Sequence, residues 1–301
     1  MKKQNIGLLS AFGSSAFIST NNVISKYLFQ FLNQPTLMSL WFGFATLFSI
    51  LIGIYSDKKK LVRGLRTHWK AGLVIAVTNI AAAAAFFTSI KILGPSPTAF
   101  FSKLDIIFIA MLGFIFLKEK LNAKEILGMS IAVVGVFVFA FSSEQLSANS
   151  YLGPTMALAI AVNTLFARVY TRKASVAVLQ IYRITLTALF ITGFAFLTGS
   201  FTLPETKFIL LAATGALLSA VIGIGLYYSA LKRIKASIAA LIRNLDPFLV
   251  ALYAYPIFHT FPSLKEWAGG IIIITGVTIT ILAMNNHNKI YKKAKAPVSH
   301  G

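Results

Sequence analysis

The sequence predicts an all-α polytopic membrane protein in which ten transmembrane helices form two inverted five-helix repeats. Composition is the first indication, because 57% of the residues are hydrophobic and only 12% are charged, with a mean hydropathy of +0.77. A soluble domain carries about 25% charged residues. The second indication is that apolar runs near the ~20 residues needed to cross a bilayer recur along the chain. The third is that the two halves resemble each other at a constant shift of 141 positions.

The spans are separated by short connections, so consecutive helices are expected to be antiparallel neighbours. The segment Gly94-Pro95-Ser96-Pro97 separates the third span from the fourth, because proline lacks the N–H that a helix needs and disfavours helix in the preceding residue. The first apolar run continues to Leu28, which favours an uncleaved span over a secretory signal. The predicted spans are 6–28, 36–55, 71–92, 97–117, 126–142, 151–167, 176–198, 208–231, 236–257 and 267–284.

Charged residues and glycines of the two halves coincide when residues 86–136 are laid over residues 227–277. The coincident pairs are Lys91 and Lys232, Ser96 and Ser237, Asp105 and Asp246, Gly128 and Gly269, and Gly135 and Gly276. Membrane spans contain few charges, so these matches indicate an internal duplication. The chain therefore divides into a first repeat at 1–145, a second repeat at 146–286 and a basic cytoplasmic tail at 287–301.

Basic residues between the spans are distributed unevenly. If the spans alternate in direction, 21 lysines and arginines fall on one side of the membrane and 4 on the other. Cytoplasmic loops carry such an excess, so we expect a multi-pass protein of the cell membrane, inner or plasma, with both termini in the cytoplasm. The net charge of +20 is then explained without a nucleic-acid partner. Five spans per repeat is an odd number, so the second repeat is inverted, as in many transporters whose substrate site lies near the midplane.

Five charged residues lie at membrane depth, away from the span ends that hold Lys26 and Lys91: Lys103, Asp105, Arg183, Arg243 and Asp246. An unpaired charge at this depth costs at least about 2.5–3.5 kcal/mol, and such residues are usually functional. Arg243 and Asp246 share a helix face, whereas Lys103 and Asp105 point to different sides. We interpret the three basic groups as partners of a substrate anion and the two acidic groups as cation partners or proton carriers. The alternative is a set of ion pairs that only fixes helix packing.

Neutral polar and aromatic residues inside the spans are candidates for the lining of the same cavity. Asn22 and Asn163 are related by the repeat shift, as are Trp41 and Tyr182. A lining role would use their hydrogen bonds and ring faces on a substrate. Interhelical hydrogen bonds and interfacial aromatics are the alternative interpretation. The candidates are Asn22, Asn79, Asn163, Trp41, Tyr182 and Tyr227.

Enzymatic and metal-binding patterns are absent from the sequence. There is no cysteine, and the four histidines lie in predicted loops or in the tail without metal-ligand spacing. No nucleophile elbow or phosphate-binding loop occurs, which disfavours catalysis and ATP-driven transport by this chain alone. The prediction is therefore a protein that is not an enzyme and has no cofactor.

The segment FFTSIKILGPSPTAFFSKLDIIFIAMLGFIFLKEKLNAKEILGMSIAVVGVFVF and its echo in the second half carry a family resemblance. The sequence resembles the drug/metabolite transporter superfamily in its ten-helix form with two EamA-type repeats. Lys118-Glu119-Lys120 fits the family's Glu-bearing loop and Arg183 fits a common arginine, whereas His259-Thr260 and Phe42 depart from the pattern. The resemblance extends over nearly the whole chain.

The resemblance implies a secondary transporter that works by alternating access. Amino acids, related amines and other amphipathic metabolites are the implied substrates. A transporter of a nucleotide-like metabolite such as S-adenosylmethionine remains an alternative, as does a non-transporting scaffold or lipid-handling bundle. The expected partners are a small-molecule metabolite and the lipid bilayer, with a proton or a counter-substrate as the candidate coupled species. The sequence leaves the oligomeric state open.

Overall fold

The computed structural model describes residues 2–117, 122–141, 148–171, 176–231, 233 and 242–294. Lys118-Glu119-Lys120 and positions 236–241 of the predicted ninth span lie outside these ranges, as do Lys232 and Ser237 among the matched repeat pairs. The helices are α1 (Lys2–Leu28), α2 (Gln34–Thr67), α3 (Trp69–Leu93), α4 (Pro95–Phe101), α5 (Asp105–Leu117), α6 (Ala123–Ala140), α7 (Leu152–Thr171), α8 (Val176–Leu197), α9 (Thr206–Gly215), α10 (Ile224–Leu231), α11 (Asp246–Phe258) and α12 (Leu264–Ala294).

Two pairs of these helices continue into each other. A 3₁₀ turn at Ser102–Leu104 joins α4 to α5, and a π-helical segment at Ala216–Gly223 joins α9 to α10. The described helices thus form ten rods, which correspond to the ten predicted spans. Six stretches are long and apolar enough to cross a membrane: Gln34–Tyr55, Trp69–Leu93, Pro95–Phe116, Ala177–Leu197, Thr206–Tyr227 and Leu264–Ala283. Leu152–Ala167 and Asp246–Phe258 are shorter apolar helices.

Two helices are longer than the spans predicted for them. The predicted second span ends at position 55, but α2 continues to Thr67 through the basic stretch that follows. Lysine, leucine and arginine are good helix formers, and the hydroxyl of Tyr182 donates to the carbonyl of Leu65 at 2.7 Å. The helix α12 likewise continues to Ala294, beyond the predicted end at 284 and into the predicted tail. Charge alone was therefore a poor marker of where these helices end.

The helices α6 and α12 pack closely along two pairs of glycines. A Cβ atom added to Gly128 would lie 2.7 Å from the carbonyl oxygen of Gly276, and one added to Gly135 would lie 3.0 Å from that of Gly269. The two helices are antiparallel, because the later glycine of α6, Gly135, contacts the earlier glycine of α12, Gly269. The repeat shift converts each contact into the other, so the contacts have the symmetry that inverted repeats require.

The remaining rods obey the same symmetry. The helix α1 packs against the π segment and α10 of the second repeat, and its equivalent α7 packs against α3 of the first. In the same way, α1 packs against α11 and α7 packs against α5. The helices α2 and α8 cross in antiparallel fashion, with Gly64 beside Val178 and Thr36 beside Thr202. Each of these rods therefore contacts the other repeat, and inter-repeat contacts form a large part of the core.

The bundle has two ends, which we name by the residues found there. The Gly94 end holds Leu28, Gly94, Ser200 and Phe258, since Lys26 Nζ donates to the carbonyl of Lys91 at 2.8 Å and Asn33 Nδ2 donates to that of Ser200 at 2.6 Å. The basic end holds Leu65, Glu125 and Thr280. The sequence predicts that the basic end is cytoplasmic.

Candidate functional site

The fourth and ninth rods are interrupted at equivalent places. In the first repeat the α-helix gives way to the 3₁₀ turn at Ser102–Leu104, and α5 begins at Asp105. In the second repeat residues 244–245 form a turn, and α11 begins at Asp246. An aspartate therefore stands in the first turn of a new helix in both repeats, where a negative charge is favoured by the exposed backbone N–H groups.

The interruption of the fourth rod lies well away from both of its ends. The rod from Pro95 to Leu117 is about 34 Å long at 1.5 Å per residue, and Asp105 lies about 15 Å from its first residue. The inverted arrangement places Asp246 at a matching depth, measured from the basic end. Helices broken near the midplane are the elements that form substrate sites in transporters with inverted repeats.

The Asp246 carboxylate is the centre of a charged cluster, which we call the ion cluster: Ser15, Lys103, Arg243 and Asp246. Lys103 Nζ lies 2.7 Å from Oδ2, and Arg243 Nε lies 3.4 Å from the same oxygen. The hydroxyl of Ser15 donates to Oδ1. The cluster joins α1 and the fourth rod of the first repeat to the ninth rod of the second, so it connects the two repeats. Arg243 and Asp246 contact each other across the turn at residues 244–245, so they lie close together but not on one continuous helix.

Exposure differs strongly within the ion cluster. The side chains of Lys103 and Asp246 are 8% and 6% exposed, whereas that of Arg243 is 33% exposed. The guanidinium carbon of Arg243 lies 5.1 Å from the ring centroid of Tyr227, a cation–π distance. The cluster therefore has an enclosed part, where Lys103 meets Asp246, and an accessible part formed by Arg243 and Tyr227.

The other predicted aspartate has a different environment. Asp105 is half-buried at the start of α5. Within the described ranges, no basic side chain lies within 4 Å of its carboxylate, since the ion pairs there join Lys103 and Arg243 to Asp246 and Lys207 to Glu205. Asp105 is thus a negative group near the ion cluster that is not part of its direct pairing.

The predicted asparagines are buried at contacts between helices. Asn163 Nδ2 lies 3.0 Å from the carbonyl oxygen of Ile75 and 2.9 Å from Thr78 Oγ1, and Asn79 Nδ2 lies 3.0 Å from Thr187 Oγ1. Asn22 is 6% exposed, and its Oδ1 atom has no hydrogen-bond partner among the described residues. Asn79 and Asn163 therefore form hydrogen bonds between helices. Asn22, in contrast, has an acceptor atom that no described residue uses.

The remaining predicted residues lie away from the ion cluster. Trp41 is 2% exposed and packs in an apolar cluster with Phe87, edge to face at 6.0 Å. The ring of Tyr182 lies against Gly72, and its hydroxyl is bonded to the carbonyl of Leu65. Arg183 is half-buried in α8. The structure therefore brings together four of the eleven predicted residues, namely Lys103, Arg243, Asp246 and Tyr227.

Sequence reasoning overlooked the serines of α1. Ser15 donates to the Asp246 carboxylate, and the hydroxyl of Ser19 lies 3.3 Å from the Asp246 carbonyl oxygen. A signal for them exists, because the small polar residues of α1 recur at helical spacing and all are buried: Ser10, Ser14, Ser15, Ser19, Asn22 and Ser25. A polar stripe on an otherwise apolar span indicates a face directed into the bundle.

These features define a class: a polytopic membrane bundle of two inverted repeats with broken helices and buried charges at its middle. The EamA-like transporter family matches residues 5–141 and again residues 151–282. The chain belongs to this family, and each match falls on one repeat. Comparison with curated proteins finds no match. One solved crystal structure is similar over 93% of this chain and 98% of its own, with a TM-score of 0.68 and 16% identity, which shows the shared fold.

Proposed function

We propose that the protein is a secondary transporter of a small charged or zwitterionic metabolite across the cell membrane, working by alternating access of its two repeats. An amino acid or a related amphipathic metabolite is the substrate that we favour. Family membership supports membrane transport of small molecules. We further propose the substrate class, the cell membrane as the location, and the cytoplasmic placement of both termini. The placement of the termini is inferred from the distribution of basic residues.

The ion cluster is the observation that carries this proposal. Lys103 Nζ and Arg243 Nε lie 2.7 and 3.4 Å from the same carboxylate oxygen of Asp246. A substrate carboxylate could take the place of Asp246 on either basic group, and the released aspartate could then pair with a substrate ammonium or accept a proton. Charges at this depth are seldom retained for stability alone, since replacing a buried ion pair by apolar residues is often neutral or stabilising.

The accessible part of the cluster suggests where a substrate is first met. Arg243 is 33% exposed and lies against the half-buried Tyr227, beside the enclosed Lys103–Asp246 pair. Asp105, near the same point, supplies a second negative group outside the pairing. A zwitterion could use Arg243 for its carboxylate and Asp105 for its ammonium before the buried pair opens. Asn22, with its unbonded Oδ1, is a further acceptor that we assign to the substrate path.

The first experiment identifies a ligand and then tests the cluster. Purified protein is heated with amino acids, amines and S-adenosylmethionine, because a ligand that binds only the folded state raises the melting temperature. Uptake of the stabilising compound is then measured in proteoliposomes. Asp246→Asn alone would leave Lys103 buried without a counter-ion, so the double variant K103M/D246N is included to remove both charges. We expect it to fold with wild-type thermal stability and to transport at least about tenfold more slowly.

A matched control keeps this test specific. Glu205→Gln removes a carboxylate from an exposed ion pair with Lys207, whose side chains are 68% and 66% exposed. Surface pairs contribute little, so this variant should transport like the wild type. Wild-type transport by K103M/D246N would remove the ion cluster from the mechanism. Preferential uptake of S-adenosylmethionine, inhibited by other adenosine compounds, would support the nucleotide-like alternative.

A non-transporting bundle is the second candidate, because the enclosed Lys103–Asp246 pair is also what a purely structural ion pair would look like. The two readings differ at Asp105. The native chain has no cysteine, so Asp105→Cys introduces the only thiol. A transport path predicts that a charged, membrane-impermeant thiol reagent modifies this position. Modification of a surface cysteine introduced at Lys265, together with none at position 105, would favour the structural bundle.

A further inference from the structure

A cavity with both polar and apolar lining residues, separate from the ion cluster, opens at the Gly94 end of the bundle. Its volume is about 420 Å³, within the range of small-molecule sites. Both repeats contribute to it, because α1, the α3–α4 connection and α6 meet the end of α11 and the beginning of α12 there. The lining residues that matter for its chemistry are Lys26, Ser96, Phe139, Phe258, Phe261 and Glu266.

Lys26 supplies the positive charge of this cavity. Its Nζ donates to the carbonyl oxygen of Lys91 at 2.8 Å, which fixes the position of the ammonium but leaves its charge unneutralised. The ion pairs found in the described part of the chain involve Lys103, Arg243 and Lys207, so Lys26 has no carboxylate partner there. An ammonium group has three donors, and the two that remain can bind an anion in the cavity.

Glu266 supplies the negative charge. The backbone N–H of Ser263 donates to Glu266 Oε2 at 2.6 Å, and the N–H of Glu266 lies 3.3 Å from Ser263 Oγ. This reciprocal cap holds the first turn of α12 and orients the carboxylate. Glu125, its equivalent in the first repeat, makes the same kind of cap but is only 2% exposed. The cap alone therefore does not require access to solvent, whereas Glu266 is half-buried and lines a cavity.

A layer of aromatic rings separates this cavity from the ion cluster. Phe100 lies 5.3 Å from Phe139, 6.0 Å from Phe248 and 5.9 Å from Trp267, measured between ring centroids. Phe139 also lines the cavity, and Lys103 follows Phe100 by one helical turn. We call Phe100, Phe139, Phe248 and Trp267 the aromatic layer. The part of the lining at Pro95–Pro97 precedes Lys103 by six to eight residues. A molecule in the cavity therefore lies about two helical turns, or about 9–12 Å, from the level of Lys103 along this rod.

We infer that the cavity at the Gly94 end is a second binding site, which takes a zwitterionic small molecule with an apolar side chain. Lys26 binds its carboxylate, Glu266 binds its ammonium, and Phe258 and Phe261 contact its apolar part. The site receives or releases the substrate on the side of the aromatic layer away from the ion cluster. This inference rests on the proposed transport function for its role, and on the cavity alone for binding.

Binding to the cavity is tested by isothermal titration calorimetry of the full-length protein in nanodiscs. The probes are L-leucine, L-leucine methyl ester, which lacks the carboxylate, and N-acetyl-L-leucine, which lacks the ammonium. The background is K103M/D246N, which removes the enclosed Lys103–Asp246 pair. Any binding that remains at Arg243 and Asp105 is distinguished from the cavity because it should not respond to changes at Lys26 or Glu266. We expect L-leucine to bind about tenfold more tightly than either derivative, because each derivative loses one charged contact.

Single variants then assign each contact to its residue. Lys26→Gln keeps a hydrogen-bond donor but removes the charge. It should abolish the preference for L-leucine over its methyl ester and keep the preference over N-acetyl-L-leucine. Glu266→Gln keeps the cap, since glutamine serves at this position, and it should abolish only the preference over N-acetyl-L-leucine. Lys265→Gln, next in sequence and exposed, is the control and should bind all three probes as the background does.

The inference is overturned if K103M/D246N does not bind L-leucine, or if Lys26→Gln and Glu266→Gln keep both preferences. Its failure is distinguishable from failure of the proposed function. Loss of cavity binding with intact, Asp246-dependent transport would leave the transporter proposal standing. Cavity binding by a protein that transports nothing would leave the site standing as a binding site without transport.

Discussion

Asp105 and Asp246 hold equivalent positions at the start of equivalent helices, and a comparison of their neighbours shows how the repeats differ. The ammonium that binds Asp246 belongs to Lys103, and the repeat shift relates Lys103 to Asn244, whose side-chain amide donates to the hydroxyl of Thr278 at 3.1 Å. The hydroxyl of Ser15 binds Asp246, and the corresponding residue is Met156. The interrupted helix is therefore common to both repeats, whereas, among the described residues, ion pairs form at Asp246 and not at Asp105.

A second difference concerns the packing on the two sides of the interruptions. The aromatic layer contains Phe248 and Trp267 of the second repeat, whose counterparts in the first are Ile107 and Ile126. Those isoleucines line an apolar groove of about 550 Å³ between α5 and α6 instead of a ring cluster. The aromatic layer thus lies on the Gly94 side of the ion cluster, whereas the described counterparts of Phe248 and Trp267 are isoleucines that line a groove. The pseudo-symmetry therefore describes the backbone and not the side chains that pack beside the site.

Neutralising the two aspartates separately should break the comparison most clearly. Asp246→Asn leaves the buried ammonium of Lys103 without its partner, and breaking a buried pair costs about 3–5 kcal/mol. Asp105→Asn removes a half-buried carboxylate that has no ion pair within the described ranges, so its free energy of unfolding should change much less. Reversible unfolding in mixed micelles measures both. Equal losses for the two variants would show that Asp105 carries a structural pairing of similar strength.

The hydroxyl contact should give the next largest effect. Ser15→Ala removes the donor to the Asp246 carboxylate, and a hydrogen bond to a charged group contributes about 1.5–3 kcal/mol. The loss should appear as a lower free energy of unfolding and as slower uptake in proteoliposomes. Ser10→Ala is the control, because Ser10 lies on the same stripe but bonds the hydroxyl of Ser229 at 3.2 Å. An equal effect of the two substitutions would mean that the stripe acts only through general packing.

The glycines of the inter-repeat contact should respond to a single methyl group. A Cβ atom at Gly276 would lie 2.4 Å from the backbone nitrogen of Ala132, so Gly276→Ala must separate α6 from α12. Overpacking of this kind costs about 1–3 kcal/mol. Gly193, in α8, has open space around the same position, and Gly193→Ala should stabilise the helix by about 0.5–1 kcal/mol. Thermal unfolding of both variants should therefore shift in opposite directions, and a stabilised Gly276→Ala would contradict the close contact.

The sequence was sufficient for the architecture and insufficient for the pairing. Apolar runs, the repeat shift and the basic residues between spans predicted the ten rods and their inverted relation, because each depends on local composition or on an ungapped match. The break before Asp246 had a signal in Pro247, but the break at Ser102–Leu104 had none, since that stretch contains neither proline nor glycine. That turn packs against α7 and α12 of the other repeat, contacts that a single sequence does not specify.

The partners within the site depend on helix rotation and register, which a single sequence does not specify. Lys103 and Asp246 are 143 positions apart, and the sequence predicted that each charge needs a partner without showing which. The same reasoning grouped Asn79, Asn163 and Tyr182 with the charges, whereas their polar atoms bond α3, α8 and the end of α2. Depth in the membrane could be predicted, and the direction of each side chain could not.

The smallest expected effect distinguishes the two related asparagines. Asn163 bonds α3 through the carbonyl of Ile75 and the hydroxyl of Thr78, whereas the Oδ1 atom of Asn22, which belongs to the helix packed on the π segment, has no partner among the described residues. Interhelical hydrogen bonds in membranes contribute about 0.6 kcal/mol on average. Asn163→Leu should therefore lower the free energy of unfolding by about that amount, with transport unchanged at a saturating substrate concentration. Asn22→Leu should leave stability unchanged or slightly raised, because it removes an unsatisfied buried acceptor, and it should raise the KM for uptake if the substrate uses that acceptor. The opposite assignment, with a stability loss at Asn22 and a KM effect at Asn163, would place the substrate path in the other repeat.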